Sequence, residues 1–186
     1  MLFHVTDLAL PEGTKLRPYA IAQDHRDLLW QVVQAIDEGP DAVATLMAGA
    51  AWTRLGSLGE SRAGMVLLEA TFEWVRMRIA PDLPSRFSAV FAWSTIPDAV
   101  RYRDVYQPSG VIHCCSLIAG RSVERDGTLV VDAFEAANLS KPQASDLSRV
   151  EERAISYWRG QAPMAQPEIL VEGTVVVEGI VTAPSP

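Results

Sequence analysis

The hydrophobic period of the chain changes once, and that change constrains the fold more than any other feature. Before residue 80 apolar side chains recur at helical spacing. Leu28, Leu29, Val32, Val33 and Ile36 mark a helix over about 24–38, stopped by Gly39-Pro40. Val43, Leu46, Met47 and Ala50 mark a second helix. Over about 60–79, Leu68, Phe72, Val75 and Ile79 form one apolar stripe, while Glu69, Glu73 and Arg76 form a polar one; Pro81 and Pro84 end the run. After residue 86 the pattern is that of strands, at 87–93, 111–118 and 129–131, with a terminal hairpin of 169–171 and 174–177 around Glu172-Gly173. A short strand over 2–6 precedes the helices. Strand, helices and then mostly strands, without regular βαβ alternation, is an α+β order.

Two short helices interrupt the second half. Thr95-Ile96-Pro97-Asp98 carries a hydroxyl cap, an early proline and a first-turn acid, and opens a helix with Ala99, Val100 and Tyr102. Residues 133–145, with Lys141-Pro142, read as a loop. Ser145 then caps a helix with Leu147, Val150, Ala154 and Trp158 that Gly160 closes. Tyr157 and Trp158 read as helix-to-sheet packing or, alternatively, as lining of an acceptor site.

Length and composition fit one core: 186 residues, 48% hydrophobic and 21% charged. We read residues 1–182 as a single domain and 183–186 as a disordered tail. Adjacent residues of a strand face opposite ways, so Cys114 and Cys115 make a poor disulfide or metal pair and read as reduced thiols. No apolar run approaches a membrane span, and Met1 to Asp7 lack the basic and apolar regions of a signal peptide, so the expected compartment is the cytoplasm. A net charge of −7 disfavours a general binder of nucleic acid, while leaving room for one nucleotide in a local basic pocket.

The common chemical signatures are missing. The chain has no GxxxxGK[ST] loop, no GxGxxG after a strand, no HExxH and no GxSxG. His4, His25 and His113 stand far apart in sequence, and no Cys or His spacing matches a zinc site, so no metal is expected.

Three segments taken in order resemble the ADP-ribosyltransferase superfamily in its small bacterial form. Phe3-His4-Val5-Thr6, followed by Leu10-Pro11-Glu12-Gly13-Thr14, resembles the first strand of histidine-type members, including the rifamycin-modifying transferases. Val90-Phe91-Ala92-Trp93-Ser94-Thr95, leading into Asp98-Ala99-Val100-Arg101-Tyr102, is similar to the aromatic strand and following helix of that superfamily. Pro167-Glu168-Ile169-Leu170-Val171, then Gly173 and Val175-Val176-Val177, resembles its catalytic-glutamate strand and return strand. Arg78 with Pro81-Asp82-Leu83-Pro84-Ser85-Arg86 also resembles a stretch of an uncharacterised bacterial family. Together the segments cover roughly a third of the chain.

The resemblance implies an N-terminal strand, a helical segment and then a split, mostly antiparallel sheet. It implies NAD as co-substrate, transfer of ADP-ribose with release of nicotinamide, and an acceptor that is a protein, a nucleic acid or a small molecule. Glu168 and His4 become the catalytic pair, facing one cleft from neighbouring strands. His4, Thr6, Arg86, Phe91 and Tyr102 become NAD-binding residues. Two departures stand out: Val90-Phe91 replaces the usual tyrosine of the aromatic strand, and Gln166 stands two residues before Glu168 in place of a second acid, where members with Gln or Glu often modify protein side chains but usually pair that variant with an arginine-type first strand. The residue that stacks on nicotinamide therefore stays open among Phe91, Trp93 and Tyr102.

The residue types suit the chemistry. Leaving nicotinamide makes the ribose oxocarbenium-like, as in glycoside hydrolysis, and a carboxylate beside it stabilises that charge. A neutral histidine orients ribose hydroxyls. Aromatic faces suit a cationic ring, and a guanidinium suits a pyrophosphate. Each residue also has a plainer reading. Glu168 would be an exposed acid before a strand, His4 a core histidine paired to backbone, and Arg86 a solvated arginine; Phe91 and Trp93 would be core. Two further functions compete: a catalytically inactive binding or assembly domain of the same fold, and an NAD glycohydrolase with water as acceptor.

Overall fold

The computed structural model describes residues 1–18, 25–57, 60–136, 144–160 and 164–181. Strand β1 is Leu2–Thr6. Helices α1 (Arg26–Glu38), α2 (Pro40–Met47), α3 (Ala50–Ser57) and α4 (Glu60–Ile79) follow. Then come β2 (Val90–Ala92), α5 (Ile96–Tyr106), β3 (Val111–Asp126), α6 (Thr128–Ala136), α7 (Ala144–Arg159) and β4 (Pro167–Ile180). The four strands form one antiparallel sheet in the order β1-β3-β4-β2. The fold is therefore α+β. Among the described residues no helix is long and apolar enough to cross a membrane.

The helical signals hold where local chemistry is strong. Gly39, at φ +116°, ends α1, and Pro40 stands at the start of α2. Thr95 accepts the Asp98 amide at 3.3 Å and caps α5. Gly160, at φ +67°, follows α7. Helix α4 buries Leu68, Phe72 and Val75, each contributing roughly 1.5–3 kcal/mol of hydrophobic stabilisation. The Trp158 indole donates to the Phe72 carbonyl at 2.6 Å and ties α7 to α4.

Several expectations need correction. Ala50 opens α3 and does not extend α2. Ile79, at the end of α4, is exposed, whereas Glu69 and Glu73 of the expected polar stripe are buried, because Arg86 and Arg76 neutralise them. The strand expected over 87–93 contracts to Val90–Ala92. Residues 129–131 belong to α6, which also takes in 133–136 of the expected loop. Asp126 accepts both the amide and the hydroxyl of Thr128 and so satisfies a first-turn N–H. Ser145 lies inside α7 and does not precede it. Residue 24, Lys141-Pro142 and the tail at 183–186 lie outside the described residues.

The expected terminal hairpin is also absent. β4 runs straight through Glu172-Gly173 and pairs with β3 along its length, from His113 with Ile180 to Asp126 with Pro167. Gly173 faces Gly120 across the pair, both at positive φ. A Cβ on Gly120 would lie 2.1 Å from the Glu172 carbonyl oxygen. One on Gly173 would lie equally close to the Ala119 carbonyl oxygen. Glycine here permits two bent strands to touch; it does not reverse the chain.

The pairing register sorts the side chains onto two faces. Leu170 of β4 and Phe91 of β2 pair and join the core built by α1, α4 and α7. Ile169, Val171, Val90 and Ala92 point the other way, into a second core with Cys115, Leu10 and Leu16. Phe3, Val5, Trp93 and Ile112 pack beneath α5 as a third cluster. β1 meets β2 through the bridge between Phe3 and Trp93, with N–H···O distances of 2.9 and 2.8 Å.

Candidate active site

Four side chains from four parts of the chain converge on the helix-covered face. Arg86, in the loop before β2, donates to both oxygens of Glu69 on α4 at 2.8 and 2.9 Å. Its Nη1 donates to the Tyr157 hydroxyl of α7 at 2.7 Å and to Glu168 Oε1 at 2.5 Å. Tyr157 in turn donates to the same Glu168 oxygen at 2.6 Å. The guanidinium carbon lies 4.7 Å from the centre of the Phe91 ring, 5.2 Å from Tyr157 and 5.6 Å from Phe72. Arg86 is only 4% exposed. Burial works against its charge, but Glu69, then Tyr157 and Glu168, hold its pKa well above the ordinary value.

Glu168 is the member of this cluster that reaches outward. Its side chain is 14% exposed, against 2% for Glu69. Oε1 is held by Arg86 and Tyr157, while Oε2 accepts no hydrogen bond from a described residue. Asp126 fixes the segment before it, accepting the amides of Ala165 and Gln166 at 3.2 Å, and Gly127 donates to the Gln166 carbonyl at 2.8 Å. Burial opposes the Asp126 charge, but the bonds from Thr128, Gln166 and Ala165 win and lower its pKa.

Tyr102 on α5 stands near this carboxylate. Its ring centre is 4.3 Å from Trp93 and 5.1 Å from Tyr106. Burial, and next the charge of Glu168, push the Tyr102 phenol up to about 12, so it remains a proton donor at neutral pH.

The structure separates the expected catalytic pair. β3 lies between β1 and β4 in the sheet order, so His4 and Glu168 are not on neighbouring strands there. The faces differ too. His4 pairs with His113 on the side of Leu2 and Cys115, whereas Glu168 shares its side with Leu170 and Phe91. The His4 ring takes the plainer course. Its Nδ1 donates to the Phe91 carbonyl at 2.7 Å, just past the Phe3–Trp93 bridge, where it seals the seam between β1 and β2. A carbonyl only accepts, so Nδ1 carries the proton. Burial, followed by the nearby His113, lowers the His4 pKa and keeps the ring neutral. Thr6 ends β1 on the same face, opposite Val111.

Two other assignments change. Arg86 is buried and committed to Glu69, Tyr157 and Glu168, so it is not a surface anchor for pyrophosphate. The Phe91 ring faces the Arg86 guanidinium, which leaves Tyr102, packed on Trp93, as the aromatic ring near Glu168. The sequence reading gave no site role to Glu69 or Asp126 and offered Tyr157 only as packing or as lining of an acceptor site. A buried Arg86 requires a carboxylate, and Glu69 on α4 supplies it.

Residues 55–183 match the model of a family described as "Protein of unknown function (DUF2441)". The chain belongs to this family. Glu69, Arg86, Tyr102, Asp126, Tyr157 and Glu168 all fall within the matched residues. No curated protein matches the chain. Among the described residues no three His, Cys, Asp or Glu side chains are grouped to hold a metal ion.

Proposed function

We propose that this chain is an NAD-dependent mono-ADP-ribosyltransferase in which Glu168 acts on the ribose. The observation that carries the reading is the state of the Glu168 carboxylate. One oxygen is clamped by Arg86 and Tyr157, and the other accepts no bond from a described residue. Arg86 is shared with Glu69, so the three groups together keep one negative charge. A fixed carboxylate with a net charge suits a transition state in which positive charge develops. The bond from ribose C1′ to the nicotinamide nitrogen breaks, its electron pair leaves with nicotinamide, and an acceptor nucleophile bonds to C1′ and loses a proton. Tyr102, packed on the buried Trp93, offers ring surface for the cationic nicotinamide. The resemblance of the segments around His4, Phe91 and Glu168 supports the same reading.

A second reading rests on His4. Its Nδ1 is bound to the Phe91 carbonyl, and its face of the sheet is not that of Glu168. That arrangement favours a catalytically inactive domain of the same fold that binds or assembles. The two readings separate in one assay, in which labelled NAD is incubated with the protein in cell lysate. The transferase reading expects nicotinamide release and label on a protein, nucleic acid or small molecule. Release with free ADP-ribose alone means an NAD glycohydrolase. No release, with no NAD binding by calorimetry at millimolar concentration, rejects NAD chemistry and leaves the binding domain.

A further inference from the structure

One turn along α4 from Arg86's carboxylate clamp, a cavity of about 570 Å³ opens between α1 and the loop before β2. Its lining is unlike the rest of this acidic chain. Arg17, Arg26 and Arg76 line it, the last bonded to Glu73 and to the Pro81 and Leu83 carbonyls, and Trp30 and Phe87 supply aromatic wall, their ring centres 5.3 Å apart in an edge-to-face pair. Glu73 is the acid in the lining and is held in a two-bond clamp by Arg76 at 2.8 and 3.1 Å. Arg17 and Arg26 form no ion pair with a described residue. The described lining residues carry three guanidinium groups against one carboxylate, a sum of +2, within a chain of net charge −7.

We propose that this cavity binds a mononucleotide, with the phosphate on Arg17 and Arg26 and the base against Trp30 and Phe87. Guanidinium groups are suited to phosphate oxygens, and aromatic rings stack on any base. The volume is that of a small-molecule site. The acidic surface around it repels a long phosphate backbone, so a single nucleotide fits better than a polymer. The cavity stands on residues other than those of the Glu168 site, so the proposal is independent of the transferase reading.

The test is calorimetric titration of the full chain with AMP, adenosine, inorganic phosphate and a short single-stranded oligonucleotide. AMP should bind, with adenosine and inorganic phosphate each at least about tenfold weaker, since each loses one of the two contact types. The double variant Arg17→Ala/Arg26→Ala changes exposed side chains and leaves the core intact. It should weaken AMP binding about 10- to 100-fold, the loss expected for charge-assisted hydrogen bonds. Glu168→Gln should leave AMP affinity unchanged, which keeps this site distinct from the other. Three results would overturn the proposal: no AMP binding at millimolar concentration, equal AMP affinity in the double variant, or an oligonucleotide that binds more tightly than AMP.

Discussion

The two faces of the sheet bury polar groups by opposite means. On the helix-covered face, charge is buried against charge: Arg86 sits between Glu69 and Glu168, and Tyr157 bridges two of them. On the other face, the half-buried His4 and the buried His113 lie beside Leu2 and Cys115 and turn to backbone carbonyls, of Phe91 and Leu8. The first solution needs partners from distant elements and leaves a directed carboxylate. The second needs only a nearby carbonyl and leaves a stitch between strands. The proposed chemistry uses the first face for that reason.

The contrast breaks most directly at Arg86. Arg86→Met should destabilise the protein by about 3–5 kcal/mol, because Glu69 would stay buried without its cation. Denaturant unfolding checks this, and a second change of Glu69→Leu should restore much of the loss. Tyr157→Phe comes next. It removes the hydroxyl that links Arg86 to Glu168 and should lower stability by about 1–3 kcal/mol in the same experiment.

Asp126 sharpens the comparison through pH. Its folded pKa lies below the ordinary value, so the unfolded chain takes up the proton first as pH falls. Wild type should therefore exceed Asp126→Asn in stability by a constant margin at neutral pH, and the margin should shrink from about pH 4 downward. His4 carries the smallest effect. Replacing it with Gln should cost about 1 kcal/mol, the worth of one hydrogen bond. Its lowered pKa means that the unfolded state alone gains a proton near pH 6.5. Wild type should thus lose stability between about pH 7 and 5 in a way that His4→Gln does not. Urea titrations across that range decide the point.

Local signals in the sequence were legible where they are complete within a few residues. Gly39-Pro40, Thr95 with Asp98, and the stripe of Leu68, Phe72 and Val75 each state their structure locally. Glu168 at the start of a strand was legible in the same way. The cluster around it was not. Glu69, Arg86 and Tyr157 are far apart in sequence, and a glutamate on a helix has the same spacing whether it faces solvent or a buried arginine. Gly173 shows a different ambiguity, since one glycine signals both a turn and a close strand contact. Only the partner Gly120 resolves it. Residues 129–131 were misread because a run of three apolar residues carries no period.

The most direct test compares nicotinamide release from NAD by wild type, Glu168→Gln and His4→Ala, each first shown to be folded. Glutamine keeps the shape of Glu168 but removes the charge that acts on the cationic transition state. Its turnover should fall about a hundred- to thousandfold, with NAD affinity little changed. His4→Ala should keep most of the wild-type turnover, because that ring faces away from Glu168 and holds a strand seam. Equal turnover in wild type and Glu168→Gln, or a loss in folded His4→Ala as large as that in Glu168→Gln, would contradict the account.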